Sequence, residues 1–124
     1  MSAIKIIAPL EPVPFKRVMA NGKRRFNNLR YSEFKDELGF FAKIEMDSHG
    51  LNPFQGSLKL HADFYKRKPR NPTAKNFGDV DNFLKAVLDA LNGICYVDDR
   101  QVVQVSGTKF FGEPNIVITL EELK

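Results

Sequence analysis

Two aspartates separated by one residue, Asp79 and Asp81, stand in the run Asp79-Val80-Asp81-Asn82, where a helical apolar period begins. Carboxylates this close repel each other, and only one of them can occupy a helix N-cap. Asp79 alone reads as a cap whose charge suits the helix dipole. Asp81 falls inside the first turn, opposite the apolar stripe, and Lys85 and Asp89 follow it on that polar face. A solvated face with i,i+4 ion pairs also explains this series, and there Lys85 merely pairs with Asp81 or Asp89. Asp98-Asp99 supplies a further acidic point. Hard divalent ions such as Mg²⁺ take carboxylate oxygens and keep several waters, so two or three aspartates suffice to hold one. The chemistry that this spacing suits is the binding of a hard divalent metal ion.

The elements that must position these acids are readable from periodicity. Val80, Phe83, Leu84, Val87, Leu88 and Leu91 recur at helical spacing, and Asn92-Gly93 ends the helix. A short strand over 94–97 then runs back toward the helix start. Four residues span about 13 Å against ~18 Å of helix. Alternation along that strand places Cys95, Val97 and Asp99 on one face and Ile94, Tyr96 and Asp98 on the other. Only one of the two acids then faces the site.

Upstream, Ile4 and Ile6 begin a first strand that ends in the Pro9, Pro12 and Pro14 cluster. Residues 15–30 read as a basic loop with a turn at Asn21-Gly22. Phe34, Leu38, Phe41 and Ile44 mark a helix over 32–46 with Ser32 as N-cap. A half-buried strand covers 58–65, a second basic loop contains Pro69 and Pro72, and strands over 102–111 and 115–120 close the chain. The order β-α-β-α-β-β-β predicts an α+β fold, a mixed β-sheet with helices packed on one face.

With 124 residues, 43% of them hydrophobic, the chain reads as one domain over 1–124. The only cysteine, Cys95, excludes an intrachain disulfide and a Cys-rich zinc site, and reads as a small buried hydrophobe. Apolar runs fall far short of the ~20 residues of a membrane span, and no signal-peptide pattern opens the sequence, so a soluble cytoplasmic protein is expected. His49 and His61 lack partner patterns and read as surface residues.

Charge is distributed unevenly. Lys16, Arg17, Lys23, Arg24, Arg25 and Arg30 lie in 16–30, and Lys66, Arg67, Lys68, Arg70 and Lys75 in 66–75, with no acid in either run. The remaining 99 residues carry eight bases against fifteen acids. One surface built to meet a polyanion explains this asymmetry, with nucleic acid the expected partner. A pair of solvated loops is the plainer alternative. Phe26, Tyr31 and Phe77 lie in or beside this basic region, placed either to stack on an unpaired base or to join the core.

The block from Asp79 to Gly93, followed by Tyr96-Val97-Asp98-Asp99-Arg100-Gln101-Val102, resembles the RusA family of Holliday junction resolvases. The shared pattern is D-x-D-N at a helix start, a lysine four residues after the second aspartate, an aliphatic D-A-L, and an aromatic-x-D-D-x-Q-V turn. The resemblance implies a small homodimeric, Mg²⁺-dependent endonuclease that nicks four-way DNA junctions in pairs during recombination and repair, with Mn²⁺ as the alternative ion. It implies that Asp79, Asp81 and Asp99 are the catalytic, metal-holding acids and that Lys85 is the catalytic lysine; Asp98 is kept beside them as a candidate for a supporting role. The basic residues of the two runs would contact the DNA: Lys16, Arg17, Lys23, Arg24, Arg25, Arg30, Arg67, Lys68, Arg70 and Lys75. A non-catalytic binder of branched or double-stranded nucleic acid explains the basic runs equally well but leaves the acids without a purpose.

Overall fold

The computed structural model describes residues 2–15, 22–68 and 78–123, with side chains from residue 29 onward in the second stretch. Along β1 (Ala3–Ala8) Ile4, Ile6 and Ala8 are buried while Ala3, Lys5 and Ile7 are exposed. β2 (Leu58–Lys66) buries Leu58, Leu60, Ala62 and Phe64 in the same alternation. With β3 (Val102–Phe111) and β4 (Asn115–Glu122) they form a four-stranded sheet of order β1-β4-β2-β3. β4 runs antiparallel to both β1 and β2, whereas β2 and β3 are parallel. The register aligns Ile4 with Leu120 and Leu60, Ile6 with Ile118 and Ala62, and Ala8 with Ile116 and Phe64. Three apolar rows therefore cross one face, and a one-residue slip would turn them all to solvent.

Two helices cover that face. α1 (Gly22–Ser48) contributes Tyr31, Phe34, Leu38, Ala42 and Met46 to the core, and α2 (Val80–Leu91) contributes Phe83, Ala86, Val87, Ala90 and Leu91. Parallel strands cannot be joined by a tight hairpin, and α2 is the crossover between β2 and β3. Gly107 of β3 lets the two meet closely: a Cβ there would lie 3.1 Å from both Leu84 Cδ atoms and Val80 Cγ2. The first two turns of α2 are thus seated directly on β3.

Two expectations are overturned. α1 starts at Gly22, ten residues before the expected Ser32 cap, so 22–30 is helix rather than loop. Lys, Arg and Leu are good helix formers and no proline interrupts this stretch, but its few apolar residues leave no period to read. Residues 94–97 form a turn instead of a strand, with Tyr96 making only isolated bridges to Asn92 and Phe54. Ile94 and Cys95 both donate backbone N–H groups to Leu91 O, and Tyr96 donates its hydroxyl to Leu88 O at 2.6 Å. These bonds satisfy carbonyls that every helix end leaves open. The apolar Ile-Cys-Tyr-Val run buries Cys95 and Tyr96 under that helix end, not in a sheet. The sheet accordingly has four strands, and the alternation separating Asp98 from Asp99 does not apply. No helix among the described residues is long and apolar enough to cross a membrane.

Candidate active site

Asp79 is the N-cap of α2, with φ −92° and ψ 143°. Its backbone carbonyl accepts from Asn82 N and Phe83 N, but its carboxylate makes no capping bond. These are the first bonds of the helix itself, so the start of α2 carries no side-chain cap and the Asp79 carboxylate is uncommitted among the described residues. Gly78 sets the approach. It has φ +96°, and a Cβ on it would stand 2.8 Å from Phe83 Cζ. Lys109 of β3 donates to Gly78 O at 2.9 Å and ties the approach to the sheet. No sequence pattern marked Lys109, because only the β2–α2–β3 crossover brings it beside residue 78.

Asp81 lies exposed in the first turn of α2, and neither it nor Asp79 is bonded through its side chain to a described residue. The helix dipole favours negative charge at both positions. Lys85, one turn on, is also exposed and forms no ion pair with a described residue. Its alternative partner Asp89 is taken: Asp89 Oδ2 accepts from Tyr31 Oη at 2.9 Å and Lys35 Nζ at 3.1 Å. This cross-tie between α1 and α2 was not foreseen from the sequence. It settles Tyr31 as a core residue, whose ring also meets Phe15 edge-on at 5.7 Å. Cys95 is fully buried, as expected. His61 is half-exposed on β2, where it bonds Ser106 Oγ at 2.7 Å and Asp63 Oδ1 at 2.9 Å.

Asp98 and Asp99 enter a single 3-10 turn, Asp99–Gln101. Asp98 Oδ1 accepts from Arg100 N at 2.9 Å, and its carboxylate also meets the Arg100 guanidinium at 3.2 Å. The Arg100 backbone N–H first, and its guanidinium second, hold the Asp98 carboxyl below the usual carboxylate range. Asp98 is thereby occupied as a cap, while Asp99 is exposed. Gln101 completes the reciprocal box. The D-x-x-Q spacing from Asp98 to Gln101 was a readable signal for it.

Among the described residues no group of three or more His, Cys, Asp or Glu side chains gathers to hold a metal ion. Among the described residues, the carboxylates at the start of α2, Asp79 and Asp81, are left as donors. That set fits Mg²⁺ or Mn²⁺, hard ions bound through one or two carboxylates with waters and phosphate oxygens filling the remaining positions.

Of the expected DNA contacts, Arg30, Arg67 and Lys68 are exposed. Arg67 pairs with Glu113 at 3.4 Å with both side chains largely in solvent, a weak interaction. Lys66 Nζ lies 5.8 Å from the Phe83 ring centroid. Burial holds its ammonium below the ordinary lysine range, Glu11 opposes this, and repulsion from Arg30 adds to it. The ends of the two basic runs thus lie close enough to interact, beside the ring that packs against Gly78. Lys16, Arg17, Arg70 and Lys75, with Phe77, lie outside the described residues, as do the side chains of Lys23, Arg24, Arg25 and Phe26.

An α+β domain with uncommitted acids at a crossover helix, flanked by basic residues, is a framework suited to phosphate chemistry. The family model described as Endodeoxyribonuclease RusA matches residues 9–121. The chain belongs to the RusA endodeoxyribonuclease family. It is also 45% identical over 96 residues to the Bacillus subtilis (strain 168) protein named Uncharacterized protein YqaN. That match takes in 74% of this chain and spans 66% of the length of its relative.

Proposed function

We propose that this protein is a divalent-metal-dependent endonuclease that resolves four-way DNA junctions by paired, symmetric nicks, acting as a homodimer in recombination and repair. The observation that carries the reading is the state of the α2 start: the Asp79 carboxylate makes no capping bond, and the side chains of Asp79, Asp81 and Lys85 are left without partners among the described residues. Structural acids at a helix start would cap it, and a structural lysine would pair with Asp81 or Asp89.

In this reading Asp79 and Asp81 hold Mg²⁺ or Mn²⁺, and Asp99 joins them from its turn. The ion supplies electrophilic pull on the phosphate and acidifies water. Lys85 neutralises negative charge growing on the phosphate oxygens as the bond to the leaving oxygen breaks. Exposed Arg30, Arg67 and Lys68 meet backbone phosphates and orient the duplex arms without reading sequence. The products are a 5′-phosphate and a 3′-hydroxyl. Two equivalent strands at a four-way junction match the two identical sites of a two-fold dimer.

The absence of a three-acid group among the described residues favours a second reading, a binder of branched DNA that does not cut. Incubation with a synthetic four-way junction and a matched linear duplex, with Mg²⁺ and with chelator, separates the two. Symmetric nicks on the junction alone, abolished by chelator, support the nuclease. Binding without nicks in Mg²⁺ or Mn²⁺ supports the binder.

A further inference from the structure

One side chain ties the turn that carries Asp99 to residues 54–56 through both ends of its amide. Gln101 Oε1 accepts from Val97 N at 2.9 Å and Asp98 N at 3.0 Å, and Gln101 Nε2 donates to Phe54 O at 2.8 Å and Gly56 O at 3.0 Å. A carboxamide has one oxygen with two lone pairs and two N–H donors, so all four capacities are used. The orientation of the amide is also set. Exchanging O and N would press the NH₂ group on two N–H donors and the oxygen on two carbonyls.

These bonds join segments far apart in sequence. Gln101 is 47 residues from Phe54 and 45 from Gly56, and residues 54–56 lead directly into β2. Phe54 N also donates to Cys95 O at 2.8 Å, on the near side of the same turn. Within the turn, Asp98 is occupied by Arg100 and cannot swing out without uncapping it. The position of the exposed Asp99 therefore depends on how residues 97–101 are held against 54–56. No other common side chain of this length both accepts twice and donates twice: Glu lacks the donors, and Met lacks both.

We infer that Gln101 is a positioning residue of the active site, holding the 98–99 turn against residues 54–56 and so fixing where the Asp99 carboxylate stands. This rests on the reading of Asp99 as a site acid. Groups that orient ligands in this way typically change metal affinity by about 10- to 100-fold when removed.

The test uses the full-length protein with Mn²⁺ as probe, free Mn²⁺ being read by electron paramagnetic resonance, alongside junction cleavage and thermal melts. Gln101→Met removes all four bonds; Gln101→Glu keeps the two accepted and gives up the two donated. Both should raise half-saturating Mn²⁺ by about tenfold or more, and raised Mn²⁺ should restore cleavage in both. Asp99→Asn should bind Mn²⁺ poorly and stay inactive at any Mn²⁺ concentration. If Gln101→Met melts cooperatively and titrates like the parent while Asp99→Asn is defective, the positioning role is wrong and the reading of Asp99 stands. If Asp99→Asn titrates and cuts like the parent, the reading of Asp99 falls and the role of Gln101 with it. Should Gln101→Met not fold, Gln101→Glu decides by the same criteria. Failure of both to fold would make Gln101 a folding element and reject the positioning role.

Discussion

Asp81 and Lys85 sit on the exposed face of α2 without partners among the described residues, so replacing them leaves the packing intact and tests the chemistry proposed for them. On the proposed reading, Asp81→Asn takes away one metal ligand and one negative charge near the phosphate. Cleavage should fall by about 100-fold or more, as when a preorganised electrostatic group is removed, while junction affinity is kept or tightened. Lys85→Met should lower the single-turnover rate by a similar factor, about 100-fold, at saturating protein. Near-parental cutting by Asp81→Asn would return Asp81 to the role of a surface acid. Neither change should shift the melting temperature by more than a few degrees, since exposed substitutions away from caps and cores cost about 0.5 kcal/mol or less.

At the scale of elements, the start of α2 is set by Gly78 and its end by Tyr96. Gly78→Ala forces a side chain into φ +96° and against Phe83. It should destabilise by about 1–3 kcal/mol in chemical denaturation and also depress cleavage, because the strain falls on the residue preceding Asp79. Full activity in a Gly78→Ala protein of unchanged stability would show that the approach to the cap is not constrained. The other end predicts a pH dependence. Burial pushes the Cys95 thiol up to about 12 and holds the Tyr31 and Tyr96 phenols above their ordinary range. In each case the folded chain keeps a proton that the unfolded chain releases. Their contribution is therefore complete below the unfolded values and is lost as pH rises from about 9. Each group adds a slope of about 1.4 kcal/mol per pH unit once its unfolded form titrates. Melts should be level from pH 7 to 8.5 and fall steeply by pH 10.5, less so in Tyr96→Phe. That variant should lose about 1–3 kcal/mol at neutral pH, because Leu88 O is left short of its donor. Melting unchanged up to pH 10.5 would contradict this.

For the whole molecule, the excess of base in two runs predicts binding dominated by phosphate contacts and counterion release. Arg30→Glu with Lys68→Glu reverses one exposed charge from each run. Junction affinity should drop, and the slope of log affinity against log salt should flatten by about one unit for each phosphate no longer neutralised. The cutting rate at saturating protein should change much less. An unchanged slope would leave the residues outside the described segments as the remaining candidates. Assembly is checked in the same preparation: sedimentation should give a mass near twice 14.1 kDa, and a monomer at micromolar concentration that still makes coordinated double cuts would contradict the dimer.

Periodicity and local chemistry determined much of this protein from the sequence alone. The period-two burial of β1, β2 and β4, the apolar stripe of α2, and its start at Asp79 each follow from spacing over a few residues. So does the α+β class with a mixed sheet and helices on one face, and the D-x-D-N and D-D-x-Q-V blocks carried the family. Tertiary structure decided whatever depends on partners distant in sequence. Residues 22–30 have too few apolar positions to reveal a helix, and α1 is fixed through Tyr31, Phe34 and Leu38 further along. The Ile-Cys-Tyr-Val run has the composition of a strand, yet capping the end of α2 and burying Tyr96 made it a turn. Asp89 could be told apart from a partner of Lys85 only once α1 brought Tyr31 and Lys35 to it, 58 and 54 residues away. Lys109 came to Gly78 through a crossover, and Gln101 found Phe54 and Gly56 across more than forty residues. A spacing rule reaches about two helical turns, whereas these bonds exist only after the chain has closed on its core.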